Sequence, residues 1–501
     1  MNNSQIEMCP NPLVRQMNKP SKDFTKADII KYIEEAGIEM VNFRYVAGDG
    51  RLKTLNFAIN SKKHLDSLLS TGERVDGSSL FSYIEAASSD LYVIPRYKTA
   101  FINPFSEIPT LDILCSYFDK NGDPMASAPE NIMNKAHESL KKTSGLSFEI
   151  MGELEYYVIS ERDPLFPATE QRGYHESIPF CKWEHLRKEA MQAIVQTGGM
   201  IKYGHSEVGN FSMNNIDYEQ NEIEFIPTDI ENAANHLIIA KWIIRMLAYK
   251  YGVNITFAPK ITASKAGSGL HIHTKLVKDG KNVMTENGHL SNIAKRAIAG
   301  YLDLAPSLTA FGNTIPTSYF RLVPHHEAPT NICWGDRNRS VLVRVPLGWT
   351  NASNMLKAVN PLESPDTKEY SEKQTVEFRC PDGSADIYLL IAGLTVAARH
   401  GLEMQDALKF AESTYVDVNI FEDKHKDKAK TLKQLPVSCW DSADQLMKHA
   451  EIYKKYDVFT QGIIDGLAKK LKSYNDQGLR EKLTGKDEEI MKMVNAYIHC
   501  G

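Results

Sequence analysis

The stretch MGELEYYVIS, residues 151–160, is rich in β-branched and aromatic residues, as β-strands are, yet it carries two glutamates two positions apart. Successive side chains of a strand point to opposite faces, so the glutamates lie on one face and the apolar residues on the other. The first face carries Glu153, Glu155 and Tyr157, and the second carries Leu154, Tyr156 and Val158. Adjacent carboxylates repel each other unless water or a cation compensates for their charge. The pattern therefore indicates either an edge strand with one face in water or a metal site.

Three further segments, YEQNEIEF (218–225), GSGLHIHTKL (267–276) and QTVEFRCPDGSAD (374–386), also predict strands with an apolar face and an ionisable face. The residues that share an ionisable face are Gln220, Glu222 and Glu224 in the first, His271 and His273 in the second, and Glu377 and Arg379 in the third. Glu207, in GHSEVGN, lies just upstream of the first segment. Mg²⁺ and Mn²⁺ favour carboxylate oxygens, and Mn²⁺ also accepts imidazole. We therefore expect these strands to converge on divalent cations, which would offset the repulsion among the carboxylates.

Positive charge is concentrated in SYFRLVPHHEAPTNICWGDRNRSVLVRVP, residues 318–346, which contains Arg321, Arg337, Arg339 and Arg344. Arginines bind carboxylate or phosphate through fixed forks of donors, and beside a metal they are the usual apparatus of phosphoryl transfer. A salt-bridged structural strand is the alternative interpretation. Glu327, which lies among these arginines, indicates that a cation also enters this region. The sequence contains no GxxxxGK[ST] loop and no kinase HRD or DFG motif, so metal and arginine would have to hold the phosphates of a nucleotide.

The composition of the 501-residue chain is 42% hydrophobic and 24% charged, with a net charge of −5. Such a chain has no overall field that would attract nucleic acid or an anionic membrane, so neither is an expected partner. The seven cysteines are scattered, which indicates free thiols in a reducing cytosol. The most apolar stretch, residues 233–252, is interrupted by His236, Lys241, Arg245 and Lys250. It predicts a buried helix with these charges at its polar edge rather than a membrane span, and we expect a cytoplasmic protein.

Turn signals and changes of pattern divide the chain into three parts. A loose N-terminal arm (1–23) precedes a small α+β domain (24–120), and a large domain (125–501) follows the turn cluster DKNGDP (119–124). The large domain alternates strongly patterned helices with short strands and has no detectable repeats.

Cap and periodicity signals predict individual elements within these parts. In the small domain they are a helix at 25–37, capped by Thr25 and Asp28 and stopped by Gly37, a hairpin at 39–59, a helix at 61–72, and strands at 90–95 and 110–118. In the large domain, Ser127 and Glu130 predict the cap of a helix that ends at Gly145. The lysine-rich segment 421–434 predicts a solvated loop.

Seven ordered motifs, spread over nearly the whole chain, resemble those of the glutamine synthetases, and specifically those of the type I bacterial form. They are VDGSSLF (75–81), GELEYYV, the EV of GHSEVGN with QNEIEF, GSGLHIH, RLVPHHEAPTN, RNRSVLVRVP and VEFRCPDGSADIYL. The resemblance implies an α+β fold, in which an N-terminal β-grasp domain precedes a catalytic domain with a curved, barrel-like antiparallel sheet flanked by helices. It also implies ATP-dependent ligation of ammonia to the γ-carboxylate of L-glutamate through γ-glutamyl phosphate, which gives L-glutamine, ADP and phosphate.

The resemblance further implies roles for individual residues. One Mg²⁺ or Mn²⁺ would be held by Glu155, Glu207 and Glu222, and a second by Glu153, His271 and Glu377. Glutamate would be bound by Arg321, Arg379 and the backbone of Gly267. Arg339 and Arg344 would bind the ATP phosphates and the transition state. His273 and Lys275 would lie at the nucleotide. Glu327 would belong to a flap that closes the site and holds ammonium. The base that takes a proton from ammonium would be Asp76, offered with Ser79 by the neighbouring subunit of a dodecamer of two stacked hexameric rings.

Some positions depart from the family pattern. Ala266, Thr375 and Lys275 stand where the family usually has asparagine, arginine and serine, and extra residues separate Glu207 from Gln220. These departures affect the expected contacts with glutamate, with the nucleotide and around the first metal. We find no stretch that resembles the adenylylation loop of the regulated type I enzymes, so that form of control is not expected.

The sequence leaves three alternatives open. A relative within the same class would γ-glutamylate methylamine or a polyamine in place of ammonia, although the retained Asp76 and Glu327 favour ammonium. A non-catalytic structural or sensory relative would keep the fold without turnover, although all six metal-ligand positions are filled. A phosphotransferase of the guanidino-kinase type would release a stable phosphorylated product.

Overall fold

The computed structural model describes residues 3–84, 89–323, 328–348, 355–364, 370–483 and 485–501. The strands are β1 Met40–Val46, β2 Leu52–Ala58, β3 Glu73–Asp76, β4 Asp90–Pro95, β5 Phe101–Ile102, β6 Thr110–Phe118, β7 Ser147–Glu161, β8 Ile201–Met213, β9 Ile216–Phe225, β10 Thr228–Asp229, β11 Asn254–Thr256, β12 Leu270–Lys278, β13 Lys281–Asn282, β14 Thr285–Glu286, β15 His289–Leu290, β16 Trp334–Asp336, β17 Val343–Val345 and β18 Val376–Phe378. The helices are α1 Asn3–Glu7, α2 Pro12–Met17, α3 Lys26–Ala36, α4 Lys62–Thr71, α5 Gly77–Leu80, α6 Pro129–Ser144, α7 Glu184–Gln196, α8 Ile230–Tyr251, α9 Asn292–Gly312, α10 Ser318–Arg321, α11 Met355–Val359, α12 Ile387–Glu403, α13 Ala407–Ser413, α14 Lys426–Thr431, α15 Cys439–Lys448, α16 Ala450–Lys454, α17 Gln461–Ser473, α18 Leu479–Leu483 and α19 Asp487–Ala496.

The first sheet has the order β2-β1-β6-β4-β3, with β5 paired to β6. Its β1–β6 pair is parallel and its other pairs are antiparallel. Apolar residues of α3 and α4, such as Ile29 and Leu65, pack with Phe43 of β1 in one buried cluster. The helices, hairpin and strands predicted for this region are confirmed, including the capping box between Thr25 and Asp28. Residues 1–23 are not a loose arm where they are described, because α2 buries apolar side chains in the same cluster.

The predicted cap of α6 is wrong, although its end before a left-handed glycine is confirmed. The cap residue is Ala128 rather than Ser127, and it makes no side-chain cap hydrogen bond. A proline occupies the first helical position and has no N–H to satisfy, so a capping side chain has less to gain there. The carboxylate of Glu130 instead accepts a hydrogen bond from the backbone N–H of Tyr117 at 3.0 Å, which ties α6 to the first sheet.

The second sheet has the order β16-β17-β18-β12-β7-β9-β8, and it curls into a half-barrel with helices packed against it. All of its pairs are antiparallel except β16–β17. Its apolar face, which includes Leu154, Ile223, Ile272 and Phe378, belongs to the main buried cluster of the molecule. The predicted α+β architecture, with a small sheet followed by a larger curved antiparallel sheet flanked by helices, is confirmed. The placement of a domain boundary at 119–124 stays a prediction.

Helix α8 confirms the buried helix predicted from the most apolar stretch of the sequence. The prediction that the polar residues of this stretch lie at a polar edge is wrong for Lys241, which is only 3% exposed, and for His236, which is 8% exposed. The ammonium group of Lys241 donates to the carbonyl of Gly383 at 2.7 Å and lies 5.2 Å from the ring centre of Phe257. These partners compensate for part of the cost of its burial.

The lysine-rich segment 421–434 is not simply a loop, because α14 lies within it. Lys424 and Lys430 are exposed and pair with acidic neighbours close in sequence. The segment is therefore solvated, as predicted, but partly helical. Lysine is a good helix former, so a run of lysines does not by itself exclude a short helix.

Two predictions from composition can be compared with the structure. All seven cysteines are free thiols, which confirms the absence of a disulfide framework. Within the described residues no single helix combines the length and the apolar character needed to cross a membrane. Helices α12 and α13 meet those criteria only as a pair, with a bend of 109° between them.

Candidate active site

Strand β7, which carries the two glutamates, lies in the interior of the large sheet between β12 and β9. The edge-strand explanation of the glutamate pair is therefore wrong. Glu153 is in register with His271 of β12 and with Glu224 of β9, and Glu155 is in register with Glu222. The predicted alternation is confirmed, since the ionisable side chains of neighbouring strands share one face of the sheet. Because β7 is not at an edge, bulk water does not screen the repulsion among the carboxylates on this face, and other groups must offset it.

The first cluster on this face surrounds Glu153. One of its carboxylate oxygens lies 2.7 Å from Nε2 of His273, and the other lies 2.9 Å from Nδ1 of His271. Nδ1 of His271 is also 3.4 Å from a carboxylate oxygen of Glu377. The ligand atoms of Glu153, His273 and Glu377 all lie within 4.8 Å of one another, as do those of Glu153, Glu222 and His271. Donors from four strands therefore form two overlapping groups, each with a spacing that suits a divalent cation.

The second cluster contains Glu155 and Glu222. Glu155 accepts hydrogen bonds from the backbone N–H of Gly269 at 2.8 Å and from Nε2 of Gln220 at 3.0 Å. A carboxylate oxygen of Glu222 lies 2.8 Å from Nε2 of His205. Glu207 lies on β8 at a bulge in the β8–β9 pairing, with a carboxylate oxygen 3.9 Å from the other ring nitrogen of His205. The structure thus brings Glu155 and Glu222 together as register partners and places Glu207 on the adjoining strand.

Two residues of this region received no role from the sequence. The ligand atoms of His205, Glu222 and Glu224 lie within 4.8 Å of one another, and all three side chains are buried. The signal was present in the alternation of strands, because His205 stands two positions before Glu207 and Glu224 two positions after Glu222. Glu224 also accepts a hydrogen bond from the hydroxyl of Tyr203 and pairs with Lys202 at 2.8 Å. These partners neutralise Glu224 at the edge of the cluster.

The charges of the clusters change the pKa values of their members. Burial and the negative charges of Glu153, Glu155 and neighbouring glutamates raise the pKa of Glu222 well above its ordinary value. Burial opposes ionisation of Glu153, but the charge of His273 and hydrogen bonds from both histidines outweigh it and lower the pKa of Glu153. Burial likewise opposes protonation of His273, and attraction to Glu153 outweighs it and raises the pKa of His273. The buried carboxylates of this donor set repel one another, and without a metal only bound protons offset that repulsion. A divalent cation would offset it instead, so the donor set fits such an ion.

A cavity of about 660 Å³ opens beside the clusters. Its walls include Glu155 and His271. They also include four arginines, of which Arg321 and Arg379 are buried and Arg337 and Arg339 are exposed. Burial lowers the pKa of Arg321, whose guanidinium donates to the carbonyl of Cys380 at 2.8 Å and lies 3.4 Å from Nε2 of His271. Nε of Arg379 donates to Glu377 at 3.0 Å. The cavity therefore has groups that bind metals, which are carboxylates and an imidazole, beside arginines that bind anions.

The loop before β12 forms another wall of this cavity, and Gln220 holds it in place. Nε2 of Gln220 donates to Glu155 and to the carbonyl of Gly267, each at 3.0 Å. Oε1 of Gln220 accepts from the backbone N–H of Gly209 at 2.9 Å. The hydroxyl of Tyr157 donates to the carbonyl of Ala266 at 2.8 Å. A Cβ at Gly267 would lie 2.5 Å from the carbonyl oxygen of Pro259, so only glycine fits this loop.

Comparison with known families shows to which family this chain belongs. Residues 126–485 match the family model described as "Glutamine synthetase, catalytic domain", and residues 37–120 match "Glutamine synthetase, beta-Grasp domain". The chain belongs to the glutamine synthetase family. The small first sheet is therefore the β-grasp domain predicted from the motifs, and the chain is an enzyme of this ligase family.

Individual members of the glutamine synthetase family match over most of the chain. The glutamine synthetase of Frankia alni is 29% identical over 477 residues, which are 88% of this chain and 94% of that protein. The glutamine synthetase of Mycolicibacterium smegmatis is also 29% identical, over 478 residues, or 88% and 93% of the two chains. A cryo-EM structure of the Plasmodium falciparum glutamine synthetase has a TM-score of 0.74 at 20% identity and covers 91% of this chain and 96% of its own. A GmaS–ADP complex has a TM-score of 0.69 at 18% identity, with coverages of 89% and 95%.

Two residues that the glutamine synthetase resemblance places at the nucleotide have other partners in this chain. The ammonium group of Lys275 pairs with Glu149 of β7 at 2.8 Å. The guanidinium of Arg344 pairs with Glu377 at 3.0 Å. Both side chains lie on the ionisable face of the sheet, and their contact with a nucleotide stays a prediction.

The remaining predicted site residues of this chain are absent from the described cavity lining or lie outside the described residues. Asp76 ends β3 in the β-grasp domain, and it accepts hydrogen bonds from the hydroxyls of Ser79 at 2.6 Å and Ser78 at 2.8 Å. Hydrogen bonds from Ser79, Ser78 and Ser89 lower the pKa of Asp76, so it is a carboxylate at neutral pH. Among the described residues that line the cavity, neither Asp76 nor Ser79 is present. Glu327 lies outside the described residues.

Proposed function

We propose that this protein ligates ammonia to the γ-carboxylate of L-glutamate at the expense of ATP and forms L-glutamine, ADP and phosphate. The observation that carries the proposal is the convergence of Glu153, Glu155, Glu222, His271 and Glu377 beside a cavity lined by arginine. Family membership supports the same reaction. A γ-carboxylate is a poor electrophile, so the proposed route passes through γ-glutamyl phosphate, which ammonia then attacks.

The donor clusters would hold two Mg²⁺ or Mn²⁺ ions, one at Glu155, Glu207 and Glu222 and the other at Glu153, His271 and Glu377. Such ions, when bound, neutralise charge on the transferring phosphoryl group. The raised pKa of Glu222 and the burial of Glu377 support a site that is incomplete without cations.

The arginines would bind the anionic parts of the substrates. Arg321 and Arg379, with the backbone of Gly267, line the cavity where the glutamate substrate would lie. Arg339 lines the same cavity, and it would orient the phosphoryl group together with Arg344. Lys275 would contact the nucleotide, and the family resemblance places His273 there as well.

Deprotonation of ammonium would be the task of two carboxylates. Ammonium is not nucleophilic, so Asp76 would remove its proton while Glu327 holds the cation. Since Asp76 lies in the β-grasp domain and not among the described cavity residues, a neighbouring subunit would bring it, with Ser79, to the site. A site shared between subunits requires an oligomer. On the basis of the family resemblance we propose a dodecamer of two hexameric rings, and on the basis of composition we propose that it lies in the cytoplasm.

The test is the release of ADP and the product formed with ATP, Mg²⁺ and L-glutamate, in the presence and absence of ammonia. We expect ADP release that requires both glutamate and ammonia and yields glutamine. Preference for methylamine or a polyamine over ammonia would instead identify a γ-glutamyl-amine ligase. A stable phosphorylated product without ammonia would identify a phosphotransferase, and no ADP release under any condition would identify a non-catalytic relative. Each of these three outcomes would contradict the proposal.

A further inference from the structure

His273 has a contact that fixes the direction of its ring. Its Nδ1 lies 2.8 Å from the hydroxyl of Thr375, and both side chains are buried, with exposures of 6% and 7%. A hydrogen bond to one ring nitrogen sets the orientation of an imidazole and selects the nitrogen that faces a metal. The other ring nitrogen of His273, Nε2, lies 2.7 Å from a carboxylate oxygen of Glu153.

The second histidine of β12 approaches the same carboxylate from its other oxygen. Nδ1 of His271 lies 2.9 Å from Glu153 and 3.4 Å from Glu377. The ligand atoms of His273 and Glu377 fall within 4.8 Å of each other and of Glu153. A nitrogen of each imidazole therefore lies beside the same two carboxylates, Glu153 and Glu377.

The lysine that follows His273 on this face of β12 has an acidic partner of its own. Lys275, the next residue of β12 on the ionisable face, is held by Glu149 at 2.8 Å. Thr375, which fixes His273, is neutral. The two carboxylates at Glu153 and Glu377 are thus left facing the histidines and the two arginines that contact Glu377.

We propose that His273, positioned by Thr375, is a fourth protein ligand of the ion at Glu153, His271 and Glu377, and that this site prefers Mn²⁺ to Mg²⁺. The inference rests on the metal-binding part of the proposed function. It assigns His273 to the metal rather than to the nucleotide. Mn²⁺ accepts imidazole nitrogen, whereas Mg²⁺ favours oxygen ligands, so the second imidazole shifts the preference.

The test uses the full-length protein with Mn²⁺ and without nucleotide or glutamate. The reference protein carries His205→Gln, so that among the described donor clusters only His271 and His273 contribute imidazole nitrogen. Electron spin-echo modulation of bound Mn²⁺ counts directly coordinated nitrogens. We expect two nitrogen couplings in the reference protein and one after His273→Gln.

Calorimetric titration supplies a second readout. Thr375→Val should weaken Mn²⁺ binding about tenfold, the usual effect of losing a partner that orients a metal ligand. Mg²⁺ binding should change by a smaller factor, and Thr375→Ser, which keeps the hydroxyl, should restore Mn²⁺ binding. His289→Gln, at an exposed histidine, is the matched control and should change neither measurement.

A single nitrogen coupling in the reference protein would overturn the proposal, and this result does not depend on whether any His273 variant folds. An unchanged spectrum after His273→Gln, in protein with native thermal unfolding, would overturn it as well. These measurements are independent of turnover. Two couplings in a protein that makes no glutamine would contradict the proposed function alone, and normal glutamine formation with one coupling would contradict this inference alone.

Discussion

Glu377 contacts two arginines and a histidine of the site. Its oxygens contact Arg344 and Arg379 at 3.0 Å each and Nδ1 of His271 at 3.4 Å, and it is only 2% exposed. Burial opposes ionisation of Glu377, but the charge of Arg379 outweighs it and lowers its pKa. The side chain is therefore an anion at neutral pH, and it links the arginines to the donor cluster around Glu153.

Replacing Glu377 with glutamine should remove this anion at constant volume. We expect Glu377→Gln to lower ammonia-dependent ADP release more than about 100-fold, because a ligand should matter more than a residue that only orients one. Steady-state ADP release and Mn²⁺ titration are the measurements. Glu372→Gln, at an exposed glutamate five residues earlier, is the control. Activity within a few-fold of the unmodified protein would exclude Glu377 as a ligand.

Gln220 illustrates a role that sequence reasoning could not assign. Its place on the ionisable face of a strand was predicted, but its side-chain hydrogen bonds join β7, the loop at Gly267 and the bulge at Gly209. Those segments are distant in sequence, and periodicity carries no information about which strands become neighbours. The missed roles of His205 and Glu224 have the same cause.

Gln220→Leu should leave Glu155 and the loop at Gly267 without their common donor. We expect the KM for glutamate to rise about tenfold or more through loss of positioning, and the protein to lose about 1–3 kcal/mol of stability. Gln192→Leu, at an exposed position on α7, should change neither quantity. An unchanged KM would show that the loop does not depend on Gln220.

At the scale of elements, local signals predicted the β-grasp region well. The helix with the Thr25 capping box, the hairpin and the strands at 90–95 and 110–118 occur as expected, because caps, turns and alternation are properties of short segments. Tertiary context decided two points that local signals could not. The edge-strand alternative is excluded because β7 lies in the interior of the sheet, and the predicted cap of α6 is wrong because Glu130 turns to Tyr117.

Helix α8 carries a buried histidine that should make stability depend on pH. Burial lowers the pKa of His236 from 6.5 to about 4. The unfolded chain binds a proton that the folded chain does not between these values, so stability should fall as pH falls from 6.5 toward 4. The full effect is on the order of 3 kcal/mol.

His236→Gln should flatten this dependence. Urea unfolding at pH 7.5 and at pH 5, in the unmodified protein and the variant, measures the slope. His289→Gln, at an exposed histidine, should leave the slope unchanged. Equal slopes in His236→Gln and the unmodified protein would show that another group is responsible.

At the scale of the whole molecule, the described residues of one chain bring together the donor clusters and Arg321, Arg339 and Arg379 but do not place Asp76 beside them. Asp76 is exposed at the end of β3, where serine hydroxyls hold its carboxylate ionised. Family motifs, rather than any pattern of charge or hydrophobicity, were the source of its predicted role. The proposed active site, shared between subunits, would account for the position of Asp76.

A shared site predicts that two inactive variants can complement each other. Asp76→Asn and Glu377→Gln should each be inactive, but subunits mixed by unfolding and reassembly should recover up to about one quarter of the activity, since one site in four combines two intact residues. Mixing without reassembly is the control and should recover none. Absence of recovery in properly reassembled oligomers would place Asp76 in the site of its own chain or outside the reaction.

The central claim is that strand-borne carboxylates and histidines of the large sheet form a pair of divalent-cation sites beside the arginine cavity. Anomalous diffraction from crystals soaked in Mn²⁺ tests it most directly. We predict two peaks, one among Glu153, His271 and Glu377 and one beside Glu155 and Glu222. A map with no peak in this region, or with Mn²⁺ bound only elsewhere on the protein, would contradict the account.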